Sequence, residues 1–179
     1  KYLTNKKIIS KEVKKICISL GGSQYYKAYD KIVKSLIEYD YKITIIMGNE
    51  NNEIFKRKIK KILPRIRFIA NTESIFEEIF KSDLAIVGGG YTKIETAYLK
   101  TPMIVLPVQK HQINLAKNFK IFSSASFLSY VLKVPIREIK ENIKKNVLFK
   151  NRKKLSLKLQ KNFNNNNALN DLFKLILSN

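Results

Sequence analysis

The sequence predicts an α/β fold: a parallel sheet of about six strands covered by helices on both faces, with helices closing the chain. Three observations predict it. Apolar, β-branched runs alternate with segments of helical period along the 179 residues. These runs are nearly continuous in hydrophobicity, as strands buried on both faces are, rather than alternating. Two of them run directly into glycine turns, Leu20-Gly21-Gly22-Ser23 and Gly88-Gly89-Gly90-Tyr91-Thr92, and each turn precedes a helical pattern.

Taken in order, Ile16–Leu20 reads as the first strand and Tyr26–Tyr39 as an amphipathic helix with Ile32, Val33 and Leu36 on one face. Lys42–Met47 is the second strand, ended by Gly48-Asn49, and Glu53–Leu63 is a basic helix stopped by Pro64. Ile66–Ile69 is the third strand. Asn71-Thr72-Glu73-Ser74 supplies capping residues for a helix over Ile75–Phe80. Leu84–Val87, Met103–Leu106 and a weaker Ser126–Tyr130 are the remaining strands, separated by helices over Thr92–Leu99 and Gln112–Phe122. Beyond Pro135 three helices are expected: Ile136–Val147, Lys153–Phe163 and Leu169–Leu177, the last two parted by the asparagine run Asn164–Asn167. Residues 1–14 read as a linker remnant and 15–179 as the folded domain.

Composition bounds what such a domain can be. Hydrophobic residues make up 45% and charged residues 27%, which are globular values. Cys17 is the one cysteine, so no internal disulfide forms; set between Ile16 and Ile18, it reads as a buried, inert thiol. No apolar stretch reaches the ~18 residues of a membrane span, and Lys1–Lys15 is too polar for a signal peptide. A cytoplasmic location is expected, with a peripheral contact at the inner membrane face as its variant. A chain that begins at Lys1 reads as a piece of a longer one.

The net charge of +21 invites a nucleic-acid reading. The lysines are spread along the chain, however, and accompany an excess of Asn, Ile, Phe and Tyr, a joint bias that AT-rich codons produce. The densest runs, Lys56–Lys61 and Lys150–Lys154, fall on predicted surface helices, where a charge run is ordinarily a solvated face. No nucleic-acid motif accompanies the charge, so nucleic acid ranks below an anionic membrane surface as a partner.

The glycine turns point to chemistry. Glycine lets the chain turn sharply and lets a bulky anion approach, while a new helix offers its unpaired N–H groups. In parallel sheets ligands sit beyond the carboxyl ends of the strands, where both turns fall. The first turn, Gly21-Gly22-Ser23-Gln24-Tyr25-Tyr26, fits neither the dinucleotide fingerprint nor a Gly-Lys-Ser/Thr phosphate loop, which disfavours an ordinary NAD enzyme or ATPase. Each turn alone is equally compatible with a plain strand-to-helix connection.

The ordered set of motifs resembles the C-terminal, nucleotide-sugar-binding half of a two-domain GT-B protein, a Rossmann-like unit. The resemblance is carried by Ile16–Ser23, by Ser82-Asp83-Leu84-Ala85-Ile86 with Gly89-Gly90-Tyr91-Thr92 and Glu95, and by Thr101-Pro102, Pro107 and Gln112. It is similar first to the UDP-sugar hydrolases of pseudaminic-acid-type pathways and to spore-coat polysaccharide proteins. More distantly it resembles the family 28 glycosyltransferases that add N-acetylglucosamine in peptidoglycan synthesis.

This resemblance implies a UDP-sugar partner. The Ile69 backbone would meet the uracil, and Glu95 would accept hydrogen bonds from the ribose hydroxyls. Gly89, Gly90, Tyr91 and Thr92 would hold the diphosphate, Gln112 and His111 would face the sugar, and Gly22 and Ser23 would close the crevice. Water, or an acceptor in a transferase, would attack the anomeric carbon while the glycine-turn amides stabilise departing UDP. The acceptor side belongs to an N-terminal half absent from this sequence, in cis or as a separate chain, so this chain alone would be inactive. A donor-binding subunit of a membrane-associated transferase is the alternative. The sequence departs from the family at Gln24, Tyr91, Lys110 and His111, which leaves the sugar open.

Simpler readings stand beside these. Glu95 is also suited to stabilising a helix amino end through the dipole. His111, the sole histidine, is the one side chain weighed for catalysis, and it also reads as a capping or surface residue. Asp83 reads as a cap at a strand entrance. No cluster of ligand spacing suggests a metal, and no cofactor is expected.

Overall fold

Apolar, β-branched segments cannot expose their faces to water, and here they assemble into a sheet buried from both sides. The structure, a computed structural model, describes residues 7–21, 25–47, 52–69, 75–123 and 125–163. Its strands are β1 (Lys15–Ser19), β2 (Lys42–Ile46), β3 (Ile66–Ile69), β4 (Leu84–Val87), β5 (Met103–Val105) and β6 (Ser126–Phe127). Its helices are α1 (Tyr26–Ser35), α2 (Glu53–Ile62), α3 (Ile75–Lys81), α4 (Thr92–Tyr98), α5 (Gln112–Ser123), α6 (Ile136–Asn146) and α7 (Phe149–Asn162).

The strands pair in parallel in the order β3-β2-β1-β4-β5-β6. The direction of winding reverses between β1 and β4, where Ser19 pairs with Val87. On one face Ile16, Ile18, Ile43, Ile45 and Ile86 pack against Ile32 and Val33 of α1, Ile59 of α2 and Ile139 and Ile143 of α6. On the other, Ala85, Val87, Met103 and Val105 meet Ala97 of α4, Phe119 of α5 and Leu155 and Leu159 of α7. A smaller cluster of Cys17, Ile46, Ile79 and Leu99 lies under α3, and burial pushes the Cys17 thiol up to about 12.

The predicted elements are all present where the residues are described, with shifted ends. Helix α1 stops at Ser35 rather than Tyr39, because a tightened bond from the Leu36 N–H to the Val33 carbonyl (2.9 Å) turns the chain. Tyr39 and Tyr41 then stack, ring centroids 5.2 Å apart, on the way into β2. Helix α7 begins at Phe149, four residues before the expected Lys153, and the extra turn carries Arg152 inward. Arg152 is thereby 1% exposed, so the Lys150–Lys154 run is not wholly a solvated face. The expected cap at Asn71–Ser74, the Gly48-Asn49 stop and the helix over Leu169–Leu177 lie outside the described residues.

The part of the expected linker that is described, residues 7–14, is docked. Lys7 donates to the carbonyls of Phe80 and Ser82 (2.7 Å to the latter), capping the end of α3. Arg152 donates to the Lys11 carbonyl (3.0 Å), and Asp83 accepts the N–H groups of Lys14 (2.8 Å) and Lys15 (2.9 Å). Together these bonds tie the entry to β1 to the entry to β4.

Candidate functional site at the carboxyl ends of β1 and β4

Where the winding reverses, the connections leaving β1 and β4 part to opposite faces, the place where parallel sheets of this kind hold their ligands. Both glycine turns leave the sheet at this point. Gly21 has φ +99°, a left-handed conformation that glycine adopts without strain. Just before it, the Leu20 N–H donates to the Tyr29 hydroxyl (3.3 Å), which itself donates to the Ile46 carbonyl (2.9 Å). Tyr29 of α1 thus fixes the carboxyl ends of β1 and β2 together.

The second turn is glycine because its neighbours leave no room for a side chain. The Gly88 N–H donates to the Ser19 carbonyl (3.0 Å), and a Cβ at Gly88 would stand 2.7 Å from the Leu20 carbonyl oxygen. A Cβ at Gly89 would stand 2.7 Å from the Gln112 Cβ. Gln112 is buried against this turn, and its Oε1 accepts the Val108 N–H (3.0 Å). Its carbonyl end is therefore engaged in joining the loop after β5 to the glycine turn.

Helix α4 follows at once, with Thr92 as its first residue. Glu95 lies in its first turn, half-buried, and burial raises its carboxyl above the ordinary value. No salt bridge engages Glu95 among the described residues, and no other charge contributes to its shift. Tyr91 is 75% exposed beside the turn, and His111 is exposed immediately before α5.

Lys93 escaped the sequence reading. It is 5% exposed, and its Nζ donates to the carbonyls of Gly89 (2.6 Å) and Gly90 (3.0 Å) while lying 5.6 Å from the Phe119 ring centroid. Burial lowers its ammonium to about 8. In the folded chain Lys93, Thr96 and Ala97 are buried at the i, i+3, i+4 spacing of one face of α4, so Lys93 stands in the inward stripe.

The structure therefore brings Gly89, Gly90 and Gln112 into contact and sets Tyr91, Thr92, Glu95 and His111 around them. Ile69 ends β3, separated from β4 by β2 and β1, and its carbonyl accepts the Met47 N–H (3.0 Å). Gly22 and Ser23 lie outside the described residues. Chemically the arrangement offers backbone donors at a rigid turn and a half-buried carboxylate one helical turn away.

Known proteins carry the same architecture. MurG of Acinetobacter baumannii superposes with a TM-score of 0.73 at 14% identity, over 100% of this chain and 53% of that one. The UDP-GlcNAc 2-epimerase of Neisseria meningitidis, solved with UDP-GlcNAc bound, gives 0.60 at 15% identity over 96% of this chain and 46% of that one. The glycosyltransferase VinC, solved with dTDP, gives 0.65 at 11% identity over 93% and 42%. An uncharacterized protein of Methanocaldococcus jannaschii is 29% identical over 117 residues, 59% of this chain and 24% of that protein. The chain thus spans about a quarter of that relative and about half of each of these solved structures. The glycosyltransferase family 28 C-terminal domain matches residues 16–174, a span that includes both glycine turns, Glu95 and Gln112, and the chain belongs to that family.

Proposed function

We propose that this chain is the donor-binding half of a two-part enzyme and takes a UDP-sugar in the crevice between β1 and β4. One observation carries the reading. A close-packed glycine turn and a half-buried carboxylate with no ion pair among the described residues stand side by side where the sheet's winding reverses. A carboxylate there is suited to the two hydroxyls of a ribose, since it only accepts, and the turn's amides are suited to a diphosphate. The structural neighbours that hold UDP-GlcNAc and dTDP support the same ligand class. His111 and Gln112 would border the sugar, and Ile69, Gly22 and Ser23 would complete the nucleotide end.

A second half, in the same chain or a separate one, would supply the acceptor side and the group that activates it. With water as acceptor the pair would act as a hydrolase of the pseudaminic-acid type. With a glycan or lipid-linked acceptor it would act as a transferase at an anionic membrane surface. Among the described residues no helix is long and apolar enough to cross a membrane.

Calorimetric titration with UDP at moderate salt tests the reading. Saturable one-site binding is expected, weakened about tenfold or more by Glu95→Ala, since a hydrogen bond to a charged group is worth about 1.5–3 kcal/mol. Absence of binding, or equal binding by the variant, overturns it. A steep salt dependence with single-stranded nucleic acid and none with UDP would favour the nucleic-acid alternative.

A further inference from the structure

Lys93 is placed where a lysine is hard to accommodate. It is buried in the first turn of α4, the end of a helix that favours anions, and no salt bridge engages it among the described residues. Its ammonium instead reaches back to the carbonyls of Gly89 and Gly90. Described peptide bonds are all trans, so in each of these units the carbonyl and the following N–H point opposite ways. With both carbonyls drawn onto the buried ammonium, the N–H groups of Gly90 and Tyr91 must point away from it. Neither N–H has a hydrogen-bond acceptor among the described residues.

We infer that Lys93 is a positioning residue for the phosphate end of the crevice. It holds the Gly89–Gly90 and Gly90–Tyr91 peptides so that two free N–H groups face the diphosphate, and it provides a buried positive charge behind them. This rests on the nucleotide reading above. It goes beyond that reading in naming which two amides receive the phosphates and which side chain orients them. Lys93 is 5% exposed and its ammonium lies beside the Phe119 ring, so its field reaches the turn with less screening than in water. The two carbonyls partly neutralise the cation, and an anion bound on the far side of the same peptides completes the compensation. An uncharged side chain of the same length would fill the space and leave the peptides free to rotate.

The test compares UDP with uridine on the intact chain and on Lys93→Met, with thermal unfolding as the check that the variant is folded. Lys93→Met is expected to lose about tenfold to a hundredfold in UDP affinity while uridine affinity is unchanged. Amide NMR should show the Gly90 and Tyr91 N–H signals shifted and exchanging faster in the variant, with the sheet unperturbed. Equal UDP affinity in a folded variant overturns the inference and leaves the nucleotide reading standing. Equal losses for UDP and uridine overturn it too, since they mark a structural role alone. Should the unmodified chain bind neither ligand, the nucleotide reading fails and the phosphate-facing role with it; the amide signals then report separately whether the clamp exists.

Discussion

The two ends of β4 are built from the same part and do different things with it. At the amino end, Lys7 is buried, donates to the carbonyls of Phe80 and Ser82 and lies 5.1 Å from the centroid of the Phe80 ring. At the carboxyl end, Lys93 is buried, donates to the carbonyls of Gly89 and Gly90 and lies 5.6 Å from the Phe119 ring. Burial lowers both ammonium groups to about 8. Yet Lys7 caps the carbonyls that a helix leaves unpaired at its end, with Asp83 nearby raising its proton affinity. Lys93 sits at a helix amino end, and among the described residues it has no such carboxylate and the N–H groups across the peptide from it have no acceptor. The same donor faces a finished helix in one case and an unfinished turn in the other, so one end is a clamp and the other, on the proposed reading, a receptor.

Gly88→Ala should break the carboxyl end most severely. Its Cβ would stand 2.7 Å from the Leu20 carbonyl oxygen, a backbone atom just past the end of β1 that cannot swing aside as a side chain can. A loss of about 3 kcal/mol in denaturant unfolding is expected, the upper end of overpacking costs, together with loss of UDP binding. Gly89→Ala, which meets the Gln112 side chain instead, should unfold less readily than Gly88→Ala but bind UDP equally poorly.

The pH dependence of stability should come next. For each lysine the folded value of about 8 lies below the ordinary 10.5, so between these pH values the unfolded chain binds more protons. Stability contributed by these sites therefore rises with pH across that window, on the order of 1–3 kcal/mol for each. Lys7→Met and Lys93→Met should each flatten part of that rise in urea titrations at pH 7.5 and 10. UDP affinity should fall over the same interval in the unmodified chain and in Lys7→Met, but not in Lys93→Met. A fall that persists in Lys93→Met would erase the contrast between the two ends.

Asp83→Ala sharpens the amino end. It removes the acceptor of the Lys14 and Lys15 N–H groups at an exposed strand entrance and should cost about 1–2 kcal/mol in thermal unfolding. UDP affinity should be unchanged, because these bonds lie at the opposite end of the strand from the turn.

The sheet was legible because its signals are local. Runs such as Leu84–Val87 are apolar throughout, and the breakers at Pro64 and Gly88 lie where strands and helices part. The pairing of the two glycine turns followed from topology, since β1 and β4 are neighbours across the reversal. What remained hidden depends on where side chains go after folding. Arg152 stands within a run of lysines, and only the extra turn of α7 directs it onto the carbonyls of Val147 and Lys11. Gln112 reads as a ligand-facing amide, and the sequence does not show that its carbonyl end also holds the Val108 N–H while its Cβ closes on Gly89. Lys93 was passed over because a lysine beside a glycine turn reads as solvated; its burial depends on Phe119, distant in sequence.

The smallest effect on stability should come from Glu95, and its sign is the informative part. Burial raises its carboxyl above the ordinary 4.5, so just above that value the folded chain holds a proton that the unfolded chain has released. Stability from this site therefore falls as pH rises through that window, and at neutral pH the ionised, unpaired carboxylate is a small net cost. Glu95→Gln keeps the shape and removes the charge, so it should raise the unfolding temperature slightly at pH 7 and leave it unchanged at pH 4. The same variant should weaken UDP binding, because an amide offers one acceptor where the carboxylate offers two. A position where removing a charge stabilises the fold and weakens the ligand is one that folding alone would not select. If Glu95→Gln instead lowers stability at neutral pH and leaves UDP affinity intact, Glu95 belongs with Lys7 and Asp83 among the residues that serve the fold, and the carboxyl end of β4 loses its claim to be different.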